Sequence, residues 1–86
     1  MPEISRFFGL VIAMYFSDHA PPHFHVRYGS QLASIAIETL TVLHGNLSPR
    51  ALGLVMEWAA AHRDELMDDW RLAQEKRELN PIPPLE

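Results

Sequence analysis

Cysteine is absent from this chain of 86 residues, so disulfide bonds and thiolate metal sites are excluded. Long apolar runs are also missing. The longest, Phe7–Phe16, falls well short of the ~20 residues that a membrane-spanning helix needs, and it lacks the basic flank and the small-residue cleavage site of a signal peptide. We therefore expect a cytoplasmic protein that makes no membrane contact.

An excess of positive charge is missing as well. Seven basic side chains stand against eleven acidic ones, and the formal net charge is −4. Residues 1–45 carry −1 and residues 46–86 carry −3, so neither half has the basic surplus that drives sequence-independent binding to phosphates. Any contact with RNA would have to come from a local patch.

What remains is the composition of an ordinary globular protein, with 48% apolar and 21% charged residues. A chain of this length has room for one domain. Residues 1–79 are predicted to form a single α+β domain, and residues 80–86 to form an extended, proline-rich tail.

The first half is predicted to be a three- to four-stranded antiparallel meander. Its strands are expected at Phe7–Phe16, His23–Tyr28, Leu32–Ile37 and Leu40–His44. Side chains alternate between the faces of a strand, so Phe24, Val26 and Tyr28 share one face. The opposite face carries His23, His25 and Arg27. The predicted core comprises Phe24, Val26, Ile35, Ile37, Leu52, Val55 and Met56.

A long helix is predicted to follow the strands. Ser48 is suited to the N-cap and Pro49 to the first helical position, and no helix breaker follows before about Leu79. A straight helix of that span would be roughly 45 Å long. It must therefore bend near His62 or pack its distal part on another chain.

The segment with the most chemistry is Asp18–His25, which we call the histidine turn. His23 and His25 project from the same strand face with Cα atoms roughly 6.5–7 Å apart, which lets both reach one metal ion. His19 or Asp18 can complete a three-ligand site for zinc or a similar divalent ion. The same face also suits metal-free phosphoryl chemistry, with His23 and His25 as acid and base and Arg27 on the phosphoryl oxygens. A structural turn, whose histidines cap carbonyls, is the third interpretation.

The helix carries three further candidate binding residues: Trp58, His62 and Trp70. Each has a simpler structural interpretation. His62 can hydrogen-bond between helix and sheet or pair with Glu65, and the two tryptophans fit a core.

Three stretches resemble one bacterial family of short proteins, the domain of unknown function 4160 family. They are M-P-E-I-S-R-F-F at Met1–Phe8, D-H-A-P-P-H-F-H at Asp18–His25 and W-A-A-A-H-R-D-E-L-M-D-D-W at Trp58–Trp70. The resemblance implies no established activity. It does imply a gene beside that of a small partner protein, in an arrangement that looks like a toxin–antitoxin pair.

Two hypotheses follow. In the first, the chain is a toxin-like member of a two-gene module that presents His23, His25 and Arg27 to RNA or another phosphorylated target, while a small partner protein masks that face. In the second, it is a non-enzymatic binding or assembly module, in which the histidine turn is structural or holds a metal and the helix mediates association with a partner or a second copy. Whether the chain is an enzyme stays open between them.

Overall fold

The computed structural model describes residues 2–86, which form five strands and two helices. The strands are β1 Glu3–Phe7, β2 Leu10–Ala13, β3 His23–Tyr28, β4 Gln31–Ala36 and β5 Val42–Gly45. They form one antiparallel sheet in the order β1-β2-β3-β4-β5. The helices are α1 Pro49–Ala61 and α2 Arg63–Gln74. The α+β class and the antiparallel meander are confirmed, whereas the predicted numbers of strands and helices are wrong.

The additional strand arises because Phe7–Phe16 is not one central strand. A two-residue turn at Phe8 and Gly9 divides the segment, and both residues have positive φ, 49° and 83°. Positive φ at both central residues is the geometry of a tight hairpin that matches the twist of its strands. The chain before the turn therefore forms β1, which pairs with β2 at the edge of the sheet.

The predicted faces of the sheet are confirmed. Phe24 pairs with Ile35 in register, and both side chains are fully buried under the helices. The ring of Trp58, on α1, lies 6.1 Å from that of Phe24 between centroids. Of the predicted core residues, Leu52 and Met56 are only partly buried at its margin, and the others are buried.

The prediction of a single long helix is wrong, because there are two helices. The predicted bend near His62 does coincide with the break between them. The Cα trace is at most 33 Å along its longest axis, so a straight helix of roughly 45 Å would project from the domain. Instead α1 ends at Ala61 and α2 begins at Arg63. The break allows α2 to bury Leu66, Trp70 and Ala73 in the same core as α1.

The segment 80–86 contains neither helix nor strand, and it packs along the domain. The Asn80 N–H donates to the Asp69 carboxylate, and the Ile82 N–H donates to the Ile4 carbonyl. The Ile82 side chain is buried, and the Trp58 indole N–H donates to the Pro83 carbonyl. Across residues 2–86, no helix is both long and apolar enough to cross a membrane.

Candidate metal centre

The histidine turn lies between β2 and β3 and includes the first residues of β3. The end of α2 is hydrogen-bonded to the backbone where the turn begins. The Ser17 N–H donates to the Ala73 carbonyl over 3.1 Å, and the Gln74 side-chain amide donates to the Asp18 carbonyl over 3.0 Å. The Ala73 carbonyl lies in the last turn of α2 and also accepts the Lys76 N–H. The end of α2 therefore fixes the backbone that carries Asp18.

The Asp18 carboxylate lies between two histidine rings. Its Oδ2 is 2.9 Å from His23 Nε2 and 3.1 Å from His25 Nε2, and its Oδ1 accepts a hydrogen bond from the His19 N–H over 2.9 Å. Burial by itself raises the pKa of Asp18, but the hydrogen bond from His25, the one from the His19 backbone and the proximity of His23 together lower it below its ordinary value. Asp18 is therefore a carboxylate at neutral pH.

The hydrogen bonds of His23 restrict what can lie between its ring and the Asp18 carboxylate. Its side chain is buried beside Trp70, with ring centroids 5.3 Å apart, and its Nδ1 lies 2.7 Å from the Pro21 carbonyl oxygen. A carbonyl oxygen can only accept, so Nδ1 must carry a proton and donate it. In a neutral ring Nε2 then has only a lone pair, and that lone pair points at the Asp18 carboxylate. Either a second proton or a cation must occupy the space between them.

Three ligand atoms converge on that space. One atom each from Asp18, His23 and His25 lies within 4.8 Å of the others, and we call these three residues the His–Asp cluster. Ligands at ~2.0–2.1 Å from a tetrahedral zinc ion lie roughly 3.3–3.4 Å apart. The distances from Asp18 Oδ2 to His23 Nε2 and to His25 Nε2, 2.9 Å and 3.1 Å, are a few tenths of an ångström shorter than this spacing. The bond from His23 Nδ1 to Pro21 is also the outer-shell contact that metal-binding histidines usually make. Three protein ligands would leave a fourth position open.

The structure separates the other predicted turn residues from this cluster. The His19 ring is 87% exposed, and its Nδ1 lies near Asp18 Oδ1 rather than the oxygen that the other two histidines share. Arg27 is exposed two positions beyond His25 on β3 and pairs in register with Val11 and Leu32. It shares the face of His25 without belonging to the cluster.

The candidate residues on the helices make contacts within the domain. Trp58 is fully buried, and its indole is tied to Pro83. His62 connects α1 to α2, and its Nδ1 contacts the Glu65 carboxylate. Trp70 is the only one of these three that reaches the cluster, because its ring covers His23.

Sequence reasoning missed the cleft beside the cluster. A cavity of about 230 Å³ adjoins Asp18 and His23, and one of about 460 Å³ extends over the sheet face opposite the helices, here called the open face. The two cavities share His25, Ser34 and His44. His44 reaches this position because it pairs in register with Ser34, and a register shift between Ser34 and Ile35 hides that pairing from simple alternation. Tyr15 also lines the larger cavity, with its ring centroid 4.4 Å from that of His25.

Comparisons with known proteins support one assignment. Neither a search of curated proteins nor one of solved structures found a match. A family described as Domain of unknown function (DUF4160) matches residues 9–71. These residues include strands β2 to β5, the whole histidine turn, all of α1 and most of α2. The match covers most of the chain, and it includes every residue of the His–Asp cluster. The protein belongs to the DUF4160 family of domains of unknown function.

Proposed function

We propose that the protein binds one divalent metal ion, zinc being the first candidate, through Asp18, His23 and His25, and that this centre is its functional site. The observation that carries the proposal is the hydrogen bonding of His23. Its Nδ1 proton is committed to Pro21, so either a second proton or a cation must lie between Nε2 and a carboxylate that is ionised at neutral pH. A cation at this point satisfies the lone pair and the carboxylate together.

The donor set is consistent with a reactive centre rather than a closed structural one. Structural zinc sites have four protein ligands, whereas catalytic sites have three and an open position for water or substrate. When bound, such an ion supplies Lewis acidity to a ligand in that position. Ser34 and His44 border the cluster on the side of the cleft, where they can hydrogen-bond to the same ligand.

Zinc titration of the tag-free protein tests this proposal. We expect calorimetry to show one equivalent bound and the melting temperature to rise with zinc concentration. An excess of 100-fold over Kd corresponds to about 2.7 kcal/mol of added stability, on the order of 10 °C for a domain of this size. His25→Ala should abolish both effects, and it is the variant of choice because His25 is half-exposed and its loss leaves the core intact.

His19→Ala is the matched control. It removes a histidine adjacent to Asp18 whose ring is almost fully in solvent, so this variant should bind zinc as the wild type does. The proposal fails if zinc produces no thermal shift, or if His25→Ala and His19→Ala bind zinc equally well.

A second proposal concerns biological context: the chain is a toxin-like effector of a two-gene module whose partner covers the open face. The observation that favours it is the exposure of large apolar side chains that line the larger cavity. Tyr15 and Leu32 border this cavity and are 38% and 63% exposed. Exposed apolar surface at a cleft is typical of an interaction site.

Growth assays separate this proposal from a non-enzymatic assembly role. Expression of the chain alone should inhibit growth, co-expression with the product of the neighbouring gene should restore it, and His25→Ala should remove the inhibition without lowering the melting temperature. Equal growth in all cases would contradict the toxin-like role. If the neighbouring product nevertheless binds the chain, the assembly role takes its place.

A further inference from the structure

The larger cavity has the properties of a small-molecule site. Its volume of about 460 Å³ lies within the range of ligand pockets. Its lining is mainly apolar, with Val11, Ala13, Leu32 and Ala33 among the side chains that border it. Its polar side chains are Arg27, Tyr15 and, at the junction with the smaller cavity, His25, Ser34 and His44.

Arg27 brings a positive charge that no residue in the described part of the chain neutralises by direct contact. Within residues 2–86 it makes neither a hydrogen bond nor an ion pair. Its charge lowers the pKa of Glu3, but the main cause of that shift is the hydrogen bond that Glu3 already accepts from Arg6. The guanidinium is therefore available to an anionic ligand, and Arg binds phosphoryl oxygens in a bidentate manner.

Arg27 and the proposed cation at the His–Asp cluster are close enough for one anionic group to contact both. Arg27 follows His25 by two positions on the same strand face, a Cα separation of roughly 6.5–7 Å. A cation bound to the His–Asp cluster would lie beside His25, and the Arg27 side chain is long enough to lean toward it. An anion at the junction of the cavities would then have the bound cation on one side and Arg27 on the other.

We propose that the cleft binds a small organic phosphate ester. The phosphoryl group lies at the junction between the metal and Arg27, and an apolar or aromatic body lies over Val11 and Leu32. The inference rests on the proposed metal centre for one of its two anchors. A small ester is favoured over a long polyanion because the chain has a net charge of −4 and, among residues 2–86, Arg27 is the only arginine or lysine lining either cavity.

Phenyl phosphate is the probe, and inorganic phosphate and phenol each supply one half of it. With zinc-loaded protein we expect phenyl phosphate to bind at least about tenfold more tightly than either half in calorimetric titrations. Arg27→Gln should weaken phenyl phosphate about tenfold or more and leave zinc binding unchanged. Leu32→Ser should weaken phenyl phosphate but not inorganic phosphate.

Arg50→Gln is the matched control, because Arg50 is an exposed arginine on α1 and lines neither cavity. Equal affinities for phenyl phosphate and inorganic phosphate would overturn the inference, as would an Arg27→Gln variant that binds like Arg50→Gln. A single-stranded oligonucleotide that binds more tightly than phenyl phosphate would overturn it in favour of a polymer.

The zinc titration distinguishes failure of this inference from failure of the metal centre. If zinc binds and phenyl phosphate does not, the ligand assignment is wrong and the centre stands. If zinc-free protein binds phenyl phosphate as tightly as zinc-loaded protein, the bridging role of the metal is wrong.

Discussion

Asp69 is an ionisable residue in a fully buried position. Its side chain is fully buried on α2, where Oδ1 accepts the Asn80 N–H over 2.8 Å and Oδ2 has no hydrogen-bond partner among the described residues. Burial raises the pKa of Asp69 above its ordinary value of 3.8. The Asn80 bond counteracts this only in part, and the nearby charges of Asp68 and Glu65 add to the increase. A carboxylate at this position is costly at neutral pH.

Asp69→Asn should therefore stabilise the protein at neutral pH. Asparagine keeps an oxygen for the Asn80 N–H and removes the buried charge, which should raise the free energy of unfolding by on the order of 1 kcal/mol. The size of this gain depends on pH. The folded state binds the Asp69 proton more tightly than the unfolded state does, so the wild type loses stability as pH rises through the raised pKa. The increase in the free energy of unfolding caused by Asp69→Asn should consequently be large at about pH 7.5 and small at about pH 4, as measured by urea unfolding.

Asp68→Asn provides the control for this experiment. Asp68 is the neighbouring acid, its side chain is 64% exposed, and it pairs with Arg71 at the surface. Its replacement should change stability by less than about 0.5 kcal/mol. If Asp69→Asn behaves like Asp68→Asn at both pH values, the buried charge carries no cost.

The candidate site could be predicted from the sequence only in part, for reasons that lie in individual residues. Strand alternation places His23 and His25 on one face without any knowledge of the fold, because both belong to β3. The choice of Asp18 over His19 depends on the path of the turn, which is determined by the bond from Ser17 to the Ala73 carbonyl and the bond from Gln74 to the Asp18 carbonyl. Such contacts span more than fifty residues, and no local pattern contains them.

The strands and helices, too, could be predicted from the sequence only in part. β3 was predicted with its observed bounds, His23–Tyr28, because its alternation is regular and prolines precede it. The hairpin between β1 and β2 was missed because Phe8 occupies a turn position with φ of 49°, which bulky residues seldom adopt. The break at His62 lacks a proline or glycine, so only the dimensions of the domain indicate it.

Gly45, at the end of β5, supports the element that brings His44 to the cleft. Its φ is +81°, and a Cβ atom at this position would lie 2.1 Å from the Leu32 carbonyl oxygen and 2.8 Å from the Ala33 Cα. Both neighbours are backbone atoms of β4, so they cannot move without disturbing the sheet. Gly45→Ala should therefore destabilise the protein by more than about 2 kcal/mol in urea unfolding, the sum of backbone strain and steric overlap.

The same substitution at Gly53 should have the opposite effect. Gly53 lies within α1, where an added Cβ meets nothing within 4 Å, and alanine is the better helix former by up to about 1 kcal/mol. Gly45→Ala with wild-type stability would show that β5 is not held closely against β4.

At the scale of the whole molecule, the two edges of the sheet differ. β1 and β5 are the outer strands, and unpaired strand edges invite pairing with other chains. Segment 80–86 lies along β1, where the Ile82 N–H donates to the Ile4 carbonyl over 2.8 Å. At the other edge, Val42 of β5 is 40% exposed. The segment thus covers the β1 edge of the sheet, and β5 forms the other edge.

Removal of residues 80–86 should therefore lower stability and increase association. It eliminates the burial of Ile82, which is 4% exposed, together with the bonds to Asp69, Ile4 and Trp58. Ile82→Ala by itself should cost about 2–4 kcal/mol in urea unfolding, whereas Leu32→Ala, at a side chain 63% exposed, should cost less than about 0.5 kcal/mol. In sedimentation, the truncated chain should self-associate and Ile82→Ala, which keeps the backbone over β1, should not. A truncated chain that stays monomeric and as stable as the full chain would show that β1 needs no cover, and the difference between the two edges would then have no physical consequence.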